Sequence, residues 1–234
     1  MSYKRVLLKL SGEALQGPEA HGISEDACLE VVHKVKELVE TGVEVGIVTG
    51  AGNIFRGIQG SKLGIKRTPA DQMGMLATVM NGIALREAFH REGVDAVVLS
   101  AIDCHNFVEP YSWQKALHYI VERRVVIFAG GTGSPYFTTD TAAALRASEI
   151  QAEILMKATK VKGIYSKDPI LHPDAIFYDR ISFAEAMTQK LKVMDATAFA
   201  LCMSNNIPIF VFNMKTEEKL SSLLHNKKNG TLVY

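Results

Sequence analysis

Apolar residues run through this chain in two rhythms. Short unbroken apolar runs recur at 5–10, 43–48, 94–100, 125–129, 154–156 and 208–213, most of them closed by glycine or polar residues. Runs of that length predict strands buried on both faces. Between them the apolar positions fall at helical spacing. Cys28, Val31, Val32, Val35, Leu38 and Val39 follow a Ser24 cap and stop at Gly42, which predicts a helix with one inward face. Ser112 caps another helix, to about residue 123. An alanine-rich helix starts at Thr141, with Asp140 either its N-cap or an orienting group for a metal or a cationic side chain. Shorter helices are expected at 185–190, from Asp195 to about 205, and at 217–225, with a last strand at 230–234. Strand–helix alternation of this kind predicts a three-layer α/β/α sandwich with a mainly parallel central sheet.

The longest predicted helix, 69–91, is apolar on more than one side. Met73, Leu76, Met80, Ile83 and Ala84 form its apolar face, and Met75 and Val79 lie off it. Such a helix is either covered on both sides or buried against another subunit. Asp71 falls in its first turn, where a carboxylate suits the helix dipole and can accept bonds from ligand hydroxyls.

Three strands run straight into glycine turns: Lys9-Leu10-Ser11-Gly12, Gly50-Ala51-Gly52-Asn53, and Gly130-Gly131-Thr132-Gly133. Glycines let backbone N–H groups approach a ligand, and a following helix points its positive end at the same space. The second turn is not a dinucleotide fingerprint, because Phe55 stands where GxGxxG needs glycine, and no GxxxxGK[ST] loop occurs. Lys9 either faces a phosphate or sits in solvent on an edge strand. Arg56, one helical turn past Gly52, either adds a bidentate phosphate contact or is an ordinary surface arginine. The third turn leads into a hydroxyl-rich patch of Thr132, Ser134, Tyr136, Thr138 and Thr139, ending at Asp140. The lysine-dense segment 157–169 reads as a loop in which Thr159, Tyr165 and Asp168 grip a base and ribose, or as a solvated charge run.

Totals narrow the choice. The net charge of +1 gives no electrostatic case for a nucleic-acid surface. Cys28, Cys104 and Cys202 lack metal spacing and fit reduced thiols in the cytoplasm. No run reaches the length of a membrane span, and the first residues do not form a signal peptide. None of the seven histidines sits in the glycine turns, which weighs against hydrolase and metal-enzyme chemistry. Three anion sites with Lys9 and Arg56 exceed the needs of one phosphate. Two phosphorylated ligands facing each other, with Asp71, Asp140 and Asp195 nearby, point to phosphoryl transfer, which needs positioning and charge neutralisation more than covalent chemistry.

KLSGEAL at 9–15, GAGNIFRG at 50–57, DQMGMLATVMN at 71–81, GGTGSPYFTTD at 130–140, KATKVKGIYSKDP at 157–169 and LKVMD at 191–195 together resemble the bacterial uridylate (UMP) kinases of the amino-acid kinase superfamily, over nearly the whole chain. The resemblance implies one amino-acid kinase domain, with an acceptor lobe at about 1–150 and an ATP lobe at about 151–234. It implies transfer of the γ-phosphoryl group of Mg2+-ATP to UMP in pyrimidine nucleotide synthesis. Lys9, Asp140 and Asp195 would be catalytic. Lys9, Leu10, Ser11, Gly12, Gly52, Arg56, Thr159, Tyr165 and Asp168 would bind ATP. Ala51, Asp71, Thr132, Gly133, Ser134, Pro135, Tyr136, Phe137, Thr138 and Thr139 would bind UMP, with uracil near Thr138 and Thr139. The family is similar in being a cytoplasmic homohexamer, inhibited by UTP and activated by GTP; the GTP-linked loop would match Gly17, Pro18, Glu19, Ala20, His21 and Gly22.

The family commonly has GGGN where this chain has Gly50-Ala51-Gly52-Asn53. Ala51 adds a methyl beside the acceptor phosphate but keeps its N–H. The rival readings are an amino-acid kinase acting on a carboxylate or carbamate, and a non-catalytic nucleotide-binding protein on the same fold. The TGSPYFTTD segment argues against the first, and Lys9, Asp140 and Asp195 occurring together argue against the second.

Overall fold

The computed structural model describes residues 3–55, 64–191, 193–226 and 229–234. The strands are β1 (Arg5–Leu10), β2 (Glu44–Thr49), β3 (Ala96–Ser100), β4 (Glu109–Pro110), β5 (Val125–Ala129), β6 (Ile154–Thr159), β7 (Ile164–Tyr165), β8 (Phe177–Tyr178), β9 (Arg180–Ile181), β10 (Ile209–Asn213) and β11 (Gly230–Val233). Among the described residues the helices are α1 (Glu25–Glu40), α2 (Arg67–Arg91), α3 (Trp113–Val121), α4 (Thr139–Glu149), α5 (Phe183–Thr188), α6 (Ala196–Ser204) and α7 (Leu220–Asn226), and a 3-10 turn spans Gly12–Leu15.

Nine strands form one sheet in the order β4-β3-β5-β2-β1-β6-β10-β11-β9. Its pairings are parallel except β10 with β11. The sheet is therefore the mainly parallel, helix-covered one that the alternation predicts. β1 lies at its centre, which rules out the reading of Lys9 as an edge-strand lysine in solvent. Helices α1, α2 and α7 cover one face; α3, α4, α5 and α6 cover the other. Side chains alternate between the faces. Val6, Leu8 and Leu10 join the first layer and Leu7 the second. Ile154, Met156 and Ala158 join the first and Leu155 the second. Lys9 and Lys157 therefore project on the α4 side. Cys28 and Cys202 are buried on opposite faces, and burial pushes their thiols up to about 11 and about 12, so both pack as inert apolar groups.

Several expected boundaries move. Helix α4 begins at Thr139 and is capped by Thr138, whose side chain accepts from the Asp140 and Thr141 N–H groups. Asp140 is thus not the N-cap but lies inside the first turn. β6 continues to Thr159 and takes Lys157 into the sheet. Helix α2 begins at Arg67, so Asp71 stands in its second turn. Its expected apolar face divides: Ile83 and Ala84 pack partly buried against the core, but Met73, Leu76 and Met80 are 39%, 52% and 54% exposed, while Ala77, Thr78, Val79, Asn81, Gly82 and Leu85 are buried. The physical reason is close approach. A Cβ at Gly82 would lie 3.1 Å from Val98 Cγ1, so the small-residue side is the one that lies flat on the sheet. Within the expected loop 157–169, Ile164–Tyr165 pairs antiparallel with Phe177–Tyr178. Among the described residues no helix is long and apolar enough to cross a membrane.

Candidate active site

β1 and β6 are parallel neighbours, and Lys9 stands in register with Lys157. Two ammonium groups side by side in a sheet repel and lose hydration. Asp140, on the first turn of α4 above them, answers both. Lys9 Nζ lies 2.8 Å from Asp140 Oδ1, and Lys157 Nζ lies 2.7 Å from Oδ2. Lys157 Nζ also donates to the Val193 carbonyl at 2.7 Å. All three side chains are 13–16% exposed. Burial pushes the Asp140 carboxyl up, but the charges of Lys9 and Lys157 outweigh it and hold the group below its ordinary value. Burial pushes Lys157 down; the Asp140 charge opposes this without fully offsetting it, and Lys9 adds to the depression. Two cations share one anion, so the cluster keeps a net positive charge at the carboxyl ends of the central strands.

Asp195 is tied to the same place by hydroxyls. As N-cap of α6 it accepts from Ala198 N at 2.9 Å. Thr141 Oγ1 donates to both of its oxygens at 3.0 Å, and Thr138 Oγ1 also bonds Oδ2. Thr138 and Thr141 thereby join the starts of α4 and α6. Thr138, expected near a base, has its hydroxyl engaged by this carboxylate and by the cap. Thr139 Oγ1 lies beside the Gly50 turn, 3.6 Å from where a Gly50 Cβ would stand.

The three glycine turns close β1, β2 and β5, which are adjacent in the order β5-β2-β1. They do meet on one edge, and two of them touch. A Cβ at Gly12 would fall 2.7 Å from both Gly50 O and Gly52 N, so only glycine permits the contact. Leu10 is fully buried, and its carbonyl accepts from Gly50 N at 3.0 Å. It serves the site through its backbone, as core and not as a ligand-facing side chain. Ser11 caps the 3-10 turn by accepting from Glu13 N. Ala51 is not among the positive-φ residues, so its methyl adds no backbone strain. Gly130 and Gly133 have φ of +75° and +83° and pack against the backbone of Ala101 and Ile102. Not every N–H of the third turn faces outward: Gly130 N donates to Thr78 Oγ1 at 2.8 Å, and Gly133 N to Gly130 O at 3.0 Å.

The hydroxyl-rich patch beyond it is a bent, exposed loop. Thr132 Oγ1 donates to Ser134 O and accepts from Ser134 N. After Pro135, Tyr136 takes φ +73°, a conformation that non-glycine residues seldom hold without cause. The cause is Asp71, whose Oδ2 accepts from Tyr136 N at 2.8 Å while Arg67 Nε donates to the same carboxylate at 2.7 and 2.8 Å. The Arg67 guanidinium lies 5.4 Å from the Tyr136 ring centroid. Phe137 is half exposed. Asp71 thus pins the loop to α2.

Across the sheet, Thr159 ends β6 and donates to Val161 O at 2.7 Å and Phe212 O at 3.2 Å, shaping the turn into the 160s. The Tyr165 ring meets Phe177 with centroids 5.2 Å apart, and Asp168 Oδ1 accepts from Ile170 N at 2.9 Å. Thr159 closes β6, Tyr165 lies in β7, and Asp168 stands in the turn beyond it. The segment 17–22 is an exposed turn with Gly17 and Gly22 at positive φ, and Pro18, Glu19, Ala20 and His21 between them. Gly22 exchanges hydrogen bonds with Asn53, at 2.7 and 2.8 Å. Arg56 lies outside the described residues.

Residues 4–213 match the model of the amino acid kinase family. The chain is 56% identical to a protein named uridylate kinase from Protochlamydia amoebophila, over 98% of this chain and 92% of that one. It is similar to the crystal structure of UMP kinase from Ureaplasma parvum, with TM-score 0.94, 40% identity and 100% and 99% of the two chains covered. Similarity to the UMP kinase structure from Bacillus anthracis reaches TM-score 0.96 at 32% identity, covering 100% and 96%. The chain belongs to the bacterial uridylate kinase family, within the amino acid kinases.

In this member of the uridylate kinase family, the residue that sequence reasoning missed is Lys157. It opens a lysine-dense stretch, and a strand ending at Met156 leaves it in a loop. The signal was parity. Lys157 sits two residues past Leu155, which like Leu7 faces the α4 side, and it matches Lys9 in a neighbouring strand. Asn81 and Thr78, buried polar residues of DQMGMLATVMN, went unremarked as well.

Proposed function

We propose that this enzyme transfers the γ-phosphoryl group of ATP to the phosphate of UMP, giving UDP, within the synthesis of pyrimidine nucleotides. The observation that carries the reading is the Lys9–Asp140–Lys157 cluster, set beside three adjoining glycine turns in a chain so similar to uridylate kinases. The acceptor side is 1–150 and the ATP side 151–234. UMP takes the Ala51 turn, Asp71 and the 132–139 loop; ATP takes the Lys9–Gly12 turn, Gly52, Arg56, Thr159, Tyr165 and Asp168. Lys9 and Lys157 neutralise charge on the transferring and bridging phosphate oxygens, and Asp140 holds both in place. The acceptor is already an oxyanion at neutral pH, so no general base is required.

Mg2+ accompanies ATP in this reading. It takes most of its ligands from phosphate and water, and among the described residues no three His, Cys, Asp or Glu groups cluster as a metal cage. Asp195, whose oxygens accept from two hydroxyls and one N–H but from no lysine, would be the carboxylate to face it, and the ion would supply further charge neutralisation. The exposed apolar side of α2 suits a contact with a second copy in a homohexamer. UTP would inhibit, and GTP would activate through 17–22, in a cytoplasmic enzyme.

The direct test is ADP release, followed by a coupled assay, with UMP and Mg2+-ATP. No ADP above the UMP-free rate would overturn the reading. A second expected result concerns Asp71→Asn. It keeps an oxygen for Tyr136 N but loses the charge that holds Arg67 and serves the acceptor. A charge-assisted bond contributes roughly 1.5–3 kcal/mol, so the KM for UMP should rise about tenfold or more. Initial rates at varied UMP and varied ATP check this; a change confined to ATP would place Asp71 in the other subsite.

A further inference from the structure

Helix α2 holds both acceptor-side turns by two short polar side chains. Thr78 Oγ1 accepts from Gly130 N at 2.8 Å and donates to the Met75 carbonyl at 2.6 Å. One helical turn on, Asn81 Nδ2 donates to the Gly50 carbonyl and to Asn53 Oδ1, both at 2.8 Å. Asn53 Nδ2 answers to Asn81 Oδ1 at 2.9 Å and to the Gly22 carbonyl at 2.8 Å. Both N–H groups of each amide are engaged. Asn81, Asn53 and Thr78 are 0%, 1% and 5% exposed.

A buried position that served packing alone would avoid such groups, since each costs free energy unless fully bonded. Their partners here include the backbones of the two turns, Gly130 N for Thr78 and Gly50 O for Asn81. The sheet does not hold these turns together. The ladder between β2 and β5 ends at Val48 opposite Phe128, two residues short of Gly50 and Gly130. Past that point α2 takes over, and Gly82 lets it lie close enough for a threonine and an asparagine to reach.

We propose that Thr78 and Asn81 are positioning residues for the acceptor: they set the spacing of the Gly50 and Gly130 turns so that both meet one phosphate. The proposal rests on the UMP kinase reading above. A rigid site loses rate steeply when turns shift by even an ångström.

The test compares Thr78→Val, Thr78→Ser and the double variant Asn53→Leu/Asn81→Leu, with KM for each substrate, kcat and Tm measured on all. Thr78→Val leaves the Gly130 N–H unbonded and should raise the KM for UMP roughly tenfold while the KM for ATP stays within about twofold; Thr78→Ser keeps the hydroxyl and restores wild-type values. The double variant removes the amide pair and also the donors to the Gly50 and Gly22 carbonyls, so its Tm should fall and its KM for UMP should rise at least as far as that of Thr78→Val. Folded variants with lowered Tm but wild-type KM for UMP would overturn the positioning role. So would equal losses in Thr78→Val and Thr78→Ser. If the double variant does not fold, the Thr78 pair still decides. Turnover of UMP by the wild type is a separate measurement, and its absence would remove the functional reading instead.

Discussion

Lys9→Ala should lose roughly 10²–10³ in kcat, the cost of removing one preorganised charge from a transferring phosphoryl group, and should keep its fold. The fold survives because the variant leaves one lysine with one carboxylate. Lys157 stays 2.7 Å from Asp140 Oδ2 and bonded to the Val193 carbonyl. The KM for UMP should change much less than kcat, since on the proposed assignment the lost charge would act on the transferring phosphoryl group and not on uracil. Steady-state rates with both substrates saturating, together with a melting curve, check this. Turnover near wild type would remove Lys9 from the reaction.

Asp140→Asn works the other way round, on the fold first. It leaves two buried ammonium groups facing a neutral amide. Removing one partner of a buried charge cluster costs about 3–5 kcal/mol, so the melting temperature should fall by many degrees at neutral pH. Acid narrows the difference. The folded-state pKa of Asp140 lies below its ordinary value, so its stabilisation is complete above the unfolded value of about 3.9 and disappears as pH falls through the folded one. Melting curves of wild type and variant should therefore lie far apart at neutral pH and converge in acid. A gap that stayed constant down to the lowest pH would mean that Asp140 contributes packing and not charge. Activity should be lost as well, because neither lysine is held.

The sheet was legible from the chain because strands buried on both faces read as plain apolar runs, and each turn of interest announced itself by glycine. The site was legible less evenly. In TTDTAA both Thr138 and Asp140 make good helix caps, and local propensity does not choose between them. The choice is made by the lysines below: Asp140 must lie inside the first turn to reach them, which leaves the cap to Thr138. Helix α2 misled for a related reason. Its larger apolar side, with Met73, Leu76 and Met80, looks like the inner one by hydrophobicity. The sheet instead receives the side bearing Gly82, Thr78 and Asn81, because the turns need hydrogen-bond partners more than α2 needs bulk. Leu10 looked like part of a phosphate loop by position, yet strand alternation sends its side chain into the core. The antiparallel return of β11 onto β10 had no local sign, since direction in a sheet is settled by partners far along the chain.

The register of Lys9 with Lys157 has a consequence for how such a site can vary. Both lysines belong to the α4 face because each stands an even number of residues from a neighbour on that face. Inserting or deleting one residue in β1 or β6 would keep the apolar composition of the sheet and turn a lysine through to the α1 side, among aliphatic groups with no carboxylate. Changes of two residues would restore the side but displace the charge by one pleat. The chemistry of this centre is therefore fixed by counting as well as by residue type. A length change within either strand would therefore break it.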